Sequence, residues 1–477
     1  MTRYERYADE IADLIGQQTL RPGDRLPSVR QASTQRQISP STVFQAYYLL
    51  EARGLIQARP RSGYYVCAAS VASKAAPAEP APSQPPAGST KVAISELVFE
   101  VLGAMRQREL VPLGSAFPGP ELFPLPRLAR TLAAGMRRMD PKRIVEDLGP
   151  GNADLRRQIA LRYAVQGMKV DPNEIVITNG AMEALNLSLQ AVTQPGDVVA
   201  IESPTFYAAL QALERLNLRA VEVATHPRHG VDLGALQAVL ARHRVKACWF
   251  MPNFQNPLGC LMPEQAKRDL VAMLAAREIP LIEDDVYGEL YFGRHQPPPA
   301  KAFDRLGAVM HCGSFSKCLA PGYRVGWVAA GRHAQAVERL KLMTSLSAPV
   351  PSQEAITGYL QQGGYDRHLR QLRQALAGSQ ARALRAVEKH FPKGTRVTRP
   401  EGGYFLWIEL PPSIDAWQLH RLALSHSISL APGQIFSAGR RFGHCLRLNC
   451  GHAADKRVDQ AIKTVGQLAG SLLAPPA

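Results

Sequence analysis

One short segment of the chain concentrates side chains that can bind a phosphate group. Residues 314 to 324 read S-F-S-K-C-L-A-P-G-Y-R, which places two hydroxyls and a guanidinium near the amine of Lys317 in the sequence. Ser314, Ser316 and Arg324 carry the hydrogen-bond donors that a phosphate dianion requires. Because an isolated Ser-Lys pair is usually an ordinary surface feature, the prediction of a site depends on other segments of the chain.

A glycine turn offers a second group of phosphate donors. The sequence T-N-G-A-M at 178–182 separates a predicted strand from a predicted helix. The first amides of a helix have no partner within it, and the positive end of the helix dipole favours an anion. The amides of Ala181 and Met182 are therefore candidates for phosphate binding, although the turn alone is weak support.

Several segments resemble, in their order along the chain, those of the fold-type I aminotransferases, which use pyridoxal phosphate. They are T-N-G-A-M, S-P-T-F-Y at 203–207, N-F-Q-N-P-L-G at 253–259, I-E-D-D-V-Y at 282–287, S-F-S-K-C-L-A-P-G-Y-R-V-G-W at 314–327, P-E-G-G-Y-F-L-W at 400–407 and C-L-R-L-N at 445–449. The resemblance implies that Lys317 binds the cofactor covalently and serves as the general base. The implied phosphate ligands are Ser314, Ser316, Arg324 and the amides of Ala181 and Met182.

The same resemblance implies the contacts of the cofactor ring. Asp284 is expected at the pyridine nitrogen, where a carboxylate keeps the ring protonated and able to accept electrons, and Asp285 is the second choice. Tyr287 and Asn256 are expected at the ring hydroxyl. Phe206 is expected to stack on the ring.

A substrate site and one departure from the family pattern follow from the same comparison. Arg447 is expected to bind a substrate carboxylate, whereas Cys318, beside the lysine, is expected only to pack. Relatives usually carry an aromatic residue before Gly151 that reaches the phosphate of the partner subunit. This chain has V-E-D-L at 145–148, so that contact between subunits is not expected.

The elements that must position these residues form an α/β pattern. Short β-rich runs alternate with helical segments, which is typical of a mostly parallel sheet. The predicted strands are 175–178, 198–202, 248–252, 281–284 and 309–314. A long helical stretch is expected from about 353 to 391, followed by strands at 405–410 and 446–449 and a final helix from about 454, which indicates a smaller α+β subdomain.

The amino-terminal residues predict a winged helix-turn-helix, a mostly α fold. Apolar residues recur at helical spacing from Tyr4 to Ile15, and Arg21-Pro22-Gly23 breaks the pattern before a helix near Ser28. A third helix is expected to start at Ser39-Pro40 and stop at Gly54. Two short strands, at 55–59 and 64–66, would form the wing.

The basic charge of this region points to DNA. Residues 20–66 hold seven arginines against Asp24 and Glu51, a balance of +5. The segments R-P-G-D-R-L-P-S-V-R at 21–30, T-V-F-Q-A-Y at 42–47 and R-P-R-S-G-Y at 59–64 resemble the GntR family of bacterial regulators. The expected DNA contacts are Arg25, Arg30, Ser41, Thr42, Gln45, Arg59 and Arg61. Many GntR relatives carry a basic residue beside the recognition-helix serine, but here Pro40 precedes Ser41.

The order of these parts resembles the MocR subfamily, in which a GntR head is fused to an aminotransferase-like domain. The expected domains are a winged helix-turn-helix at 1–66, an Ala/Pro-rich linker at 67–94, a large pyridoxal-phosphate-binding domain at 95–365 and a small subdomain at 366–477. The linker composition favours extended, partly polyproline-like chain.

Composition narrows the setting in which the chain acts. A net charge of +16 in 477 residues suits a nucleic-acid partner but is more often a solvated basic surface. Seven scattered cysteines without C-x-x-C spacing indicate reduced thiols rather than disulfides or a zinc site, and no metal is expected. Without an apolar signal region or a long apolar run, a cytoplasmic protein with no membrane partner is expected.

Two functions remain open at this point. In the first, the protein is a homodimeric transcription regulator whose promoter binding changes when its large domain binds pyridoxal phosphate or an amino-acid-like adduct of it. In the second, it is a working aminotransferase with a tethered DNA-binding head. The sequence alone cannot separate retained chemistry from retained binding.

Overall fold

The computed structural model describes residues 3–17, 19–52, 55–59, 62–67, 77–104, 109–142 and 148–473. Some of the predictions concern residues outside these ranges, namely Gly54, Arg61 and residues 145–147. The chain divides into two compact units, residues 1–77 with 381–389 and residues 78–380 with 390–477. Within the described ranges, every helix is too short or too polar to cross a bilayer.

The amino-terminal region is a winged helix-turn-helix, which confirms the prediction. It consists of α1 (Arg3–Gly16), α2 (Val29–Arg36), α3 (Pro40–Ala52), β1 (Ile56–Arg59) and β2 (Gly63–Val66). The two strands pair antiparallel, with Ile56 opposite Val66. Apolar residues of all three helices and both strands form one core.

Local sequence sets the start of the second and third helices. The Ser28 hydroxyl accepts from the Gln31 amide, and the Gln31 side chain accepts from the Ser28 amide, so α2 begins with a reciprocal cap. Ser39 performs the same task for α3, because its hydroxyl accepts from the amide of Thr42 at 3.1 Å. Pro40, whose missing amide needs no partner there, occupies the first position of α3.

Part of the proline-rich segment lies along the large unit. Ser83 and Thr225 form two hydrogen bonds: the Ser83 amide donates to the Thr225 carbonyl at 3.1 Å, and the Thr225 amide donates to the Ser83 hydroxyl at 2.9 Å. The Ala87 carbonyl lies 2.8 Å from Nε2 of His243. Residues 78–91 therefore belong to the large unit by contact, although their composition is that of a linker.

The large unit contains a nine-stranded mixed sheet with helices packed on it. Its strands are β3 (Thr90–Lys91), β4 (Ile175–Thr178), β5 (Val198–Ser203), β6 (Arg219–His226), β7 (Gly230–Val231), β8 (Val245–Phe250), β9 (Leu281–Asp284), β10 (Val309–Ser314) and β11 (Gly326–Ala329). Its helices are α4 (Ser95–Ala104), α5 (Leu125–Arg138), α6 (Ala153–Val165), α7 (Ala181–Val192), α8 (Tyr207–Arg215), α9 (Leu233–Arg242), α10 (Glu264–Ala275), α11 (Ala334–Thr344) and α12 (Val350–Gln361).

The direction of the strands gathers the predicted site segments at one edge of the sheet. The strand order is β3-β6-β5-β8-β9-β10-β11-β4, and the run from β6 to β10 is parallel. β4 and β10 both pair antiparallel with β11, so they run in the same direction. Because the carboxyl ends of such strands meet, the segments that follow β4, β5, β8, β9 and β10 lie together.

The carboxyl-terminal residues form a smaller sheet flanked by helices, as predicted. Its elements are α13 (Tyr365–His390), β12 (Arg396–Val397), β13 (Phe405–Glu409), α14 (Ala416–Ser425), β14 (Ala431–Pro432), β15 (Cys445–Asn449) and α15 (Arg457–Ser471). The strands follow the order β12-β13-β15-β14. The helical stretch predicted for 353–391 consists of two helices, α12 and α13. Gly363, with φ of 70°, lies in the break, a conformation that glycine adopts without strain.

Candidate functional site

A cavity of about 250 Å³ opens where the carboxyl ends of the strands meet. Its walls come from the segments after β4, β5, β8, β9 and β10, together with residues 116 and 117. The predicted site residues on its walls are Ala181, Met182, Phe206, Asp284, Tyr287, Ser314, Ser316, Lys317 and Arg324. The structure thus brings together residues that are up to 143 positions apart in sequence.

Lys317 presents its amine inside this cavity. Nζ donates to the Ala116 carbonyl at 2.8 Å and lies 3.6 Å from the ring centroid of Phe117. Burial lowers the pKa of Lys317 to about 7, the positive charges of Arg447 and Arg324 lower it too, and the charge of Asp284 opposes them. A large fraction of this amine is consequently neutral, and nucleophilic, near pH 7.

Asp284 ends β9 and faces the same cavity. Burial raises its pKa to about 7, with a further increase from the charge of Asp285 and a decrease from a hydrogen bond donated by the backbone amide of Val286. Among the described residues its Oδ1 has no hydrogen-bond partner. Asp285 instead accepts from Asn253 at 3.1 Å and lies 3.1 Å from Nε2 of His311. The geometry favours Asp284 over Asp285 as the group that meets a ligand.

Arg447 and Asn256 lie beside each other in a fully buried position. Nη1 of Arg447 donates to Oδ1 of Asn256 at 3.1 Å, and Nη2 donates to the carbonyls of Gly114 and Ser115 at 2.6 and 3.0 Å. Within the described part of the chain, Nε of Arg447 and Nδ2 of Asn256 have no partner. Burial lowers the pKa of Arg447 from its ordinary value.

The residues predicted for phosphate form one connected group. Arg324 donates to the hydroxyl of Ser316 at 3.2 Å, and the Ser316 amide donates to the hydroxyl of Ser314 at 3.1 Å. Gly180 precedes α7 with φ of 84°, and a Cβ there would lie 2.4 Å from Nη2 of Arg324. Because Gly180 has no Cβ, the Arg324 guanidinium can lie close to the start of α7, the end toward which the first amides of the helix point.

Two aromatic side chains complete the walls. Tyr287 is buried, and its ring meets those of Tyr404 and Phe405 edge to face at 5.5 and 5.6 Å. Burial raises the pKa of Tyr287, which keeps its hydroxyl protonated. Phe206 precedes α8 and presents its ring to the cavity.

The polar atoms without partners in and near this cavity define which ligand would fit there. A buried carboxylate oxygen of Asp284, an amide donor of Asn256 and a guanidinium donor of Arg447 all lack partners among the described residues. Leaving such atoms without a partner costs about 1–3 kcal/mol each. A protonated ring nitrogen, a ring oxygen and a carboxylate would satisfy them, so the residues fit pyridoxal phosphate joined to an amino acid.

Sequence reasoning missed the segment that covers this cavity. Residues 114–117 receive hydrogen bonds from Arg447, Lys317, Asn449 and Tyr404 through their backbone carbonyls. The segment G-S-A-F carries no side chain with acid, base or metal-binding chemistry, so the sequence offered no signal for it. Tyr404 lies in a segment that resembled the family but received no role.

The structure places most predicted DNA contacts on the surface of the head. Arg25, Arg30 and Arg59 are exposed, and the guanidinium of Arg59 lies 4.4 Å from the ring centroid of Tyr65 in the wing. Gln45 is exposed on α3. The hydroxyls of Ser41 and Thr42 lie 2.8 and 2.7 Å from that of Ser39.

Each of the two regions of the chain matches a family model. The family model "Aminotransferase class I and II" matches residues 142–465, and "Bacterial regulatory proteins, gntR family" matches residues 3–66. The HTH-type transcriptional regulator YdcR of Escherichia coli is 49% identical over 98% of this chain and 99% of its own.

Solved structures resemble the large unit. The kynurenine aminotransferase of Pyrococcus horikoshii has a TM-score of 0.74 and 28% identity, covering 80% of this chain and 95% of its own. LysN, the alpha-aminoadipate aminotransferase of Thermus thermophilus, has a TM-score of 0.71 and 30% identity, covering 80% and 99%. The LysN structure is a complex with N-(5′-phosphopyridoxyl)-L-leucine.

The depressed pKa of Lys317 predicts a distinctive pH profile of reactivity in cofactor-free protein. Since the amine becomes neutral as the pH rises through about 7, its acylation rate should rise from pH 6 to 8 and then level off. An ordinary lysine, with a pKa of about 10.4, continues to gain reactivity up to pH 10. Brief acylation followed by mass spectrometry of the Lys317 peptide measures this profile, with the other lysine peptides as internal reference.

A variant tests the cause of that profile. Asp284→Asn removes the negative charge that raises the pKa of Lys317, so the midpoint should move further down. A Lys317 profile that still climbs at pH 10, or an upward shift in the variant, would contradict the described electrostatics.

Proposed function

Because the chain belongs to the class I and II aminotransferase family and carries a gntR-family helix-turn-helix, we propose that it is a transcription regulator that senses pyridoxal phosphate or its adduct with an amino compound. The MocR-type order of domains is confirmed, and YdcR, related over almost the whole chain, bears the name of a transcriptional regulator. The family typically uses pyridoxal phosphate. Asp284 lies in one cavity with Lys317, Arg447 is close enough for its charge to act on Lys317, and Asn256 accepts from Arg447; the unpartnered polar atoms of Asp284, Arg447 and Asn256 carry the proposal for the cofactor.

The residues of the cavity divide the work of holding the cofactor. Lys317 would attach it covalently, with Ser314, Ser316, Arg324 and the first amides of α7 on its phosphate. Asp284 would accept from the ring nitrogen, Asn256 and Tyr287 would meet the ring oxygen, and Phe206 would cover one face. When bound, pyridoxal phosphate supplies an aldehyde carbon that amines attack and a ring that withdraws electrons.

Arg447 would connect ligand binding to movement of the chain. Its Nη2 now donates to the carbonyls of Gly114 and Ser115, and a ligand carboxylate that pairs with both Nη2 and the unpartnered Nε would replace at least one of them. Nζ of Lys317 donates to the carbonyl of Ala116 in the same segment. When Lys317 attaches to the cofactor, loss of this hydrogen bond would also free residues 114–117. An amino-acid ligand would therefore displace residues 114–117. Pyridoxal phosphate alone would produce part of this displacement.

The head would supply the output. Exposed Arg25, Arg30 and Arg59 provide affinity for promoter DNA that falls with salt, because phosphate contacts release counterions. Turnover as an aminotransferase is the second candidate, supported by the largely neutral amine of Lys317 beside a carboxylate-binding arginine. Relatives that are named as transcriptional regulators match almost the whole chain, and this favours the first function.

Covalent attachment should map to one lysine. Protein incubated with pyridoxal phosphate, reduced with borohydride and digested should carry the pyridoxyl group on the Lys317 peptide, and Lys317→Ala should abolish this label. The matched control is Lys246→Ala, which removes an exposed lysine and should leave the label unchanged. A pyridoxyl group on a different lysine of the wild type would refute the assignment.

Amino-acid ligands should change DNA affinity through Arg447. Binding of a promoter duplex to protein loaded with pyridoxal phosphate is measured by fluorescence anisotropy, with and without a panel of amino acids. We expect at least one to shift the dissociation constant by roughly fivefold or more, a usual size of coupling between sites. Arg447→Met should remove the shift and retain the bound cofactor.

Arg396→Met provides the control, because Arg396 forms an exposed ion pair with Glu409 in the same small sheet. This variant should keep the shift. Multiple turnover with an amino-acid and keto-acid pair, and no effect of any amino acid on DNA affinity, would favour the enzyme instead.

A homodimer is the expected assembly, because winged-helix regulators usually read operators with two-fold symmetry. Light scattering at micromolar concentration with cofactor bound should therefore give a mass of about twice 52.1 kDa. A mass near that of one chain would exclude this arrangement.

A further inference from the structure

Helix α3 of the head exposes a stripe of uncharged side chains. Ser41, Phe44, Gln45 and Tyr48 are exposed at positions i, i+3, i+4 and i+7, so they share one face of the helix. Phe44 is 54% exposed and Tyr48 is 42% exposed. The opposite face, with Val43, Ala46, Tyr47 and Leu50, is buried in the head core.

This helix has no cation with which to bind phosphate or guanine. Its sequence P-S-T-V-F-Q-A-Y-Y-L-L-E-A contains no lysine, arginine or histidine. Its one charged residue, Glu51, accepts from the amide of Ala58 at 2.8 Å and so serves the wing. The commonest specific contact with a base pair, arginine or lysine on guanine, is therefore unavailable to α3.

The hydroxyls at the start of the helix already have partners. Ser39 contacts the hydroxyls of both Ser41 and Thr42 and accepts from the Thr42 amide. These three residues stabilise the beginning of α3 as a local network. Phe44 and Gln45 are the side chains of the stripe that follow it directly toward the middle of the helix.

The cations lie on elements that pack against α3. Arg30 is on α2, Arg59 is on β1, and both elements contact α3. An uncharged stripe on a head whose neighbouring elements carry exposed arginines is suited to a groove whose floor bears methyl groups and whose walls are phosphates. An apolar protein partner would not need these exposed positive charges.

We propose that Phe44 and Gln45 read an A·T pair in the major groove, with the Phe44 ring packed on a thymine 5-methyl group and the Gln45 amide on adenine. The methyl group is the one apolar feature of the major-groove floor, and glutamine matches the adenine N6 and N7 atoms. This inference rests on the proposed DNA binding by the head and names the base pair that the head recognises.

The first experiment tests the base pair. Full-length protein selects duplexes from a random-sequence pool, and the enriched half-sites should contain A·T pairs. In an enriched duplex, replacing a half-site thymine by deoxyuridine removes only the methyl group, and affinity should fall about fourfold at the thymine that Phe44 contacts. Enriched sites with only G·C pairs, or a duplex indifferent to every uridine, would overturn the proposal.

A second experiment assigns the residue. Phe44→Ala should bind the thymine and uridine duplexes equally, whereas Phe44→Leu, which keeps apolar volume, should retain part of the difference. A difference that persists unchanged in Phe44→Ala assigns the methyl contact to another residue and overturns the proposal. Because Phe44 lies outside the head core, thermal unfolding of both variants should match that of the wild type.

Two further outcomes distinguish a failure of DNA binding by the head from a failure of base reading by Phe44. If no duplex is enriched, DNA binding by the head fails, and the base-reading inference fails with it. If DNA is enriched but Phe44→Ala changes only the mass measured by light scattering, the stripe is a protein contact and the inference alone is rejected.

Discussion

The large unit is organised by the burial of an amine and a carboxyl group in one cavity. Water is removed from both Lys317 and Asp284, and burial moves their pKa values toward each other, down for the lysine and up for the aspartate, to about 7. Neither group can be buried with full charge at low cost unless a partner is supplied. The parallel strands, the glycine at the start of α7 and the aromatic walls all serve to place these two groups where a ligand can be that partner.

The arrangement of Arg447 follows the same principle. A guanidinium cannot lose its proton, so a buried arginine requires acceptors. Carbonyls of residues 114 and 115 and the amide oxygen of Asn256 supply them. A carboxylate is a stronger acceptor than a carbonyl for this cation. Competition between the two kinds of acceptor would give Arg447 two arrangements, as the proposed sensing function requires.

The sequence predicted the helices and strands better than it predicted the hydrogen-bond partners of the site residues. The strand 175–178 is a short apolar run, and its predicted bounds agree with the structure, which buries all four of its residues. The helix break at Gly363 was missed because a single glycine pair is tolerated in many helices. Asp284 and Asp285 could not be separated by composition, but neighbours at a strand end point to opposite faces. The backbone carbonyls of residues 114–117 are invisible to any analysis based on side chains.

The segment 78–91 has a role that its linker-like composition does not suggest. Thr90 and Lys91 pair with Ala220 and Arg219, so they form the outermost strand of the nine-stranded sheet, next to β6. A large unit cut free at residue 95 would leave that stretch of β6 with unpaired backbone groups facing solvent. Such an open sheet edge pairs readily with another copy, whereas a two-residue edge ending in lysine does not. The tether to the DNA-binding head therefore also protects the aminotransferase-like sheet from edge-to-edge aggregation.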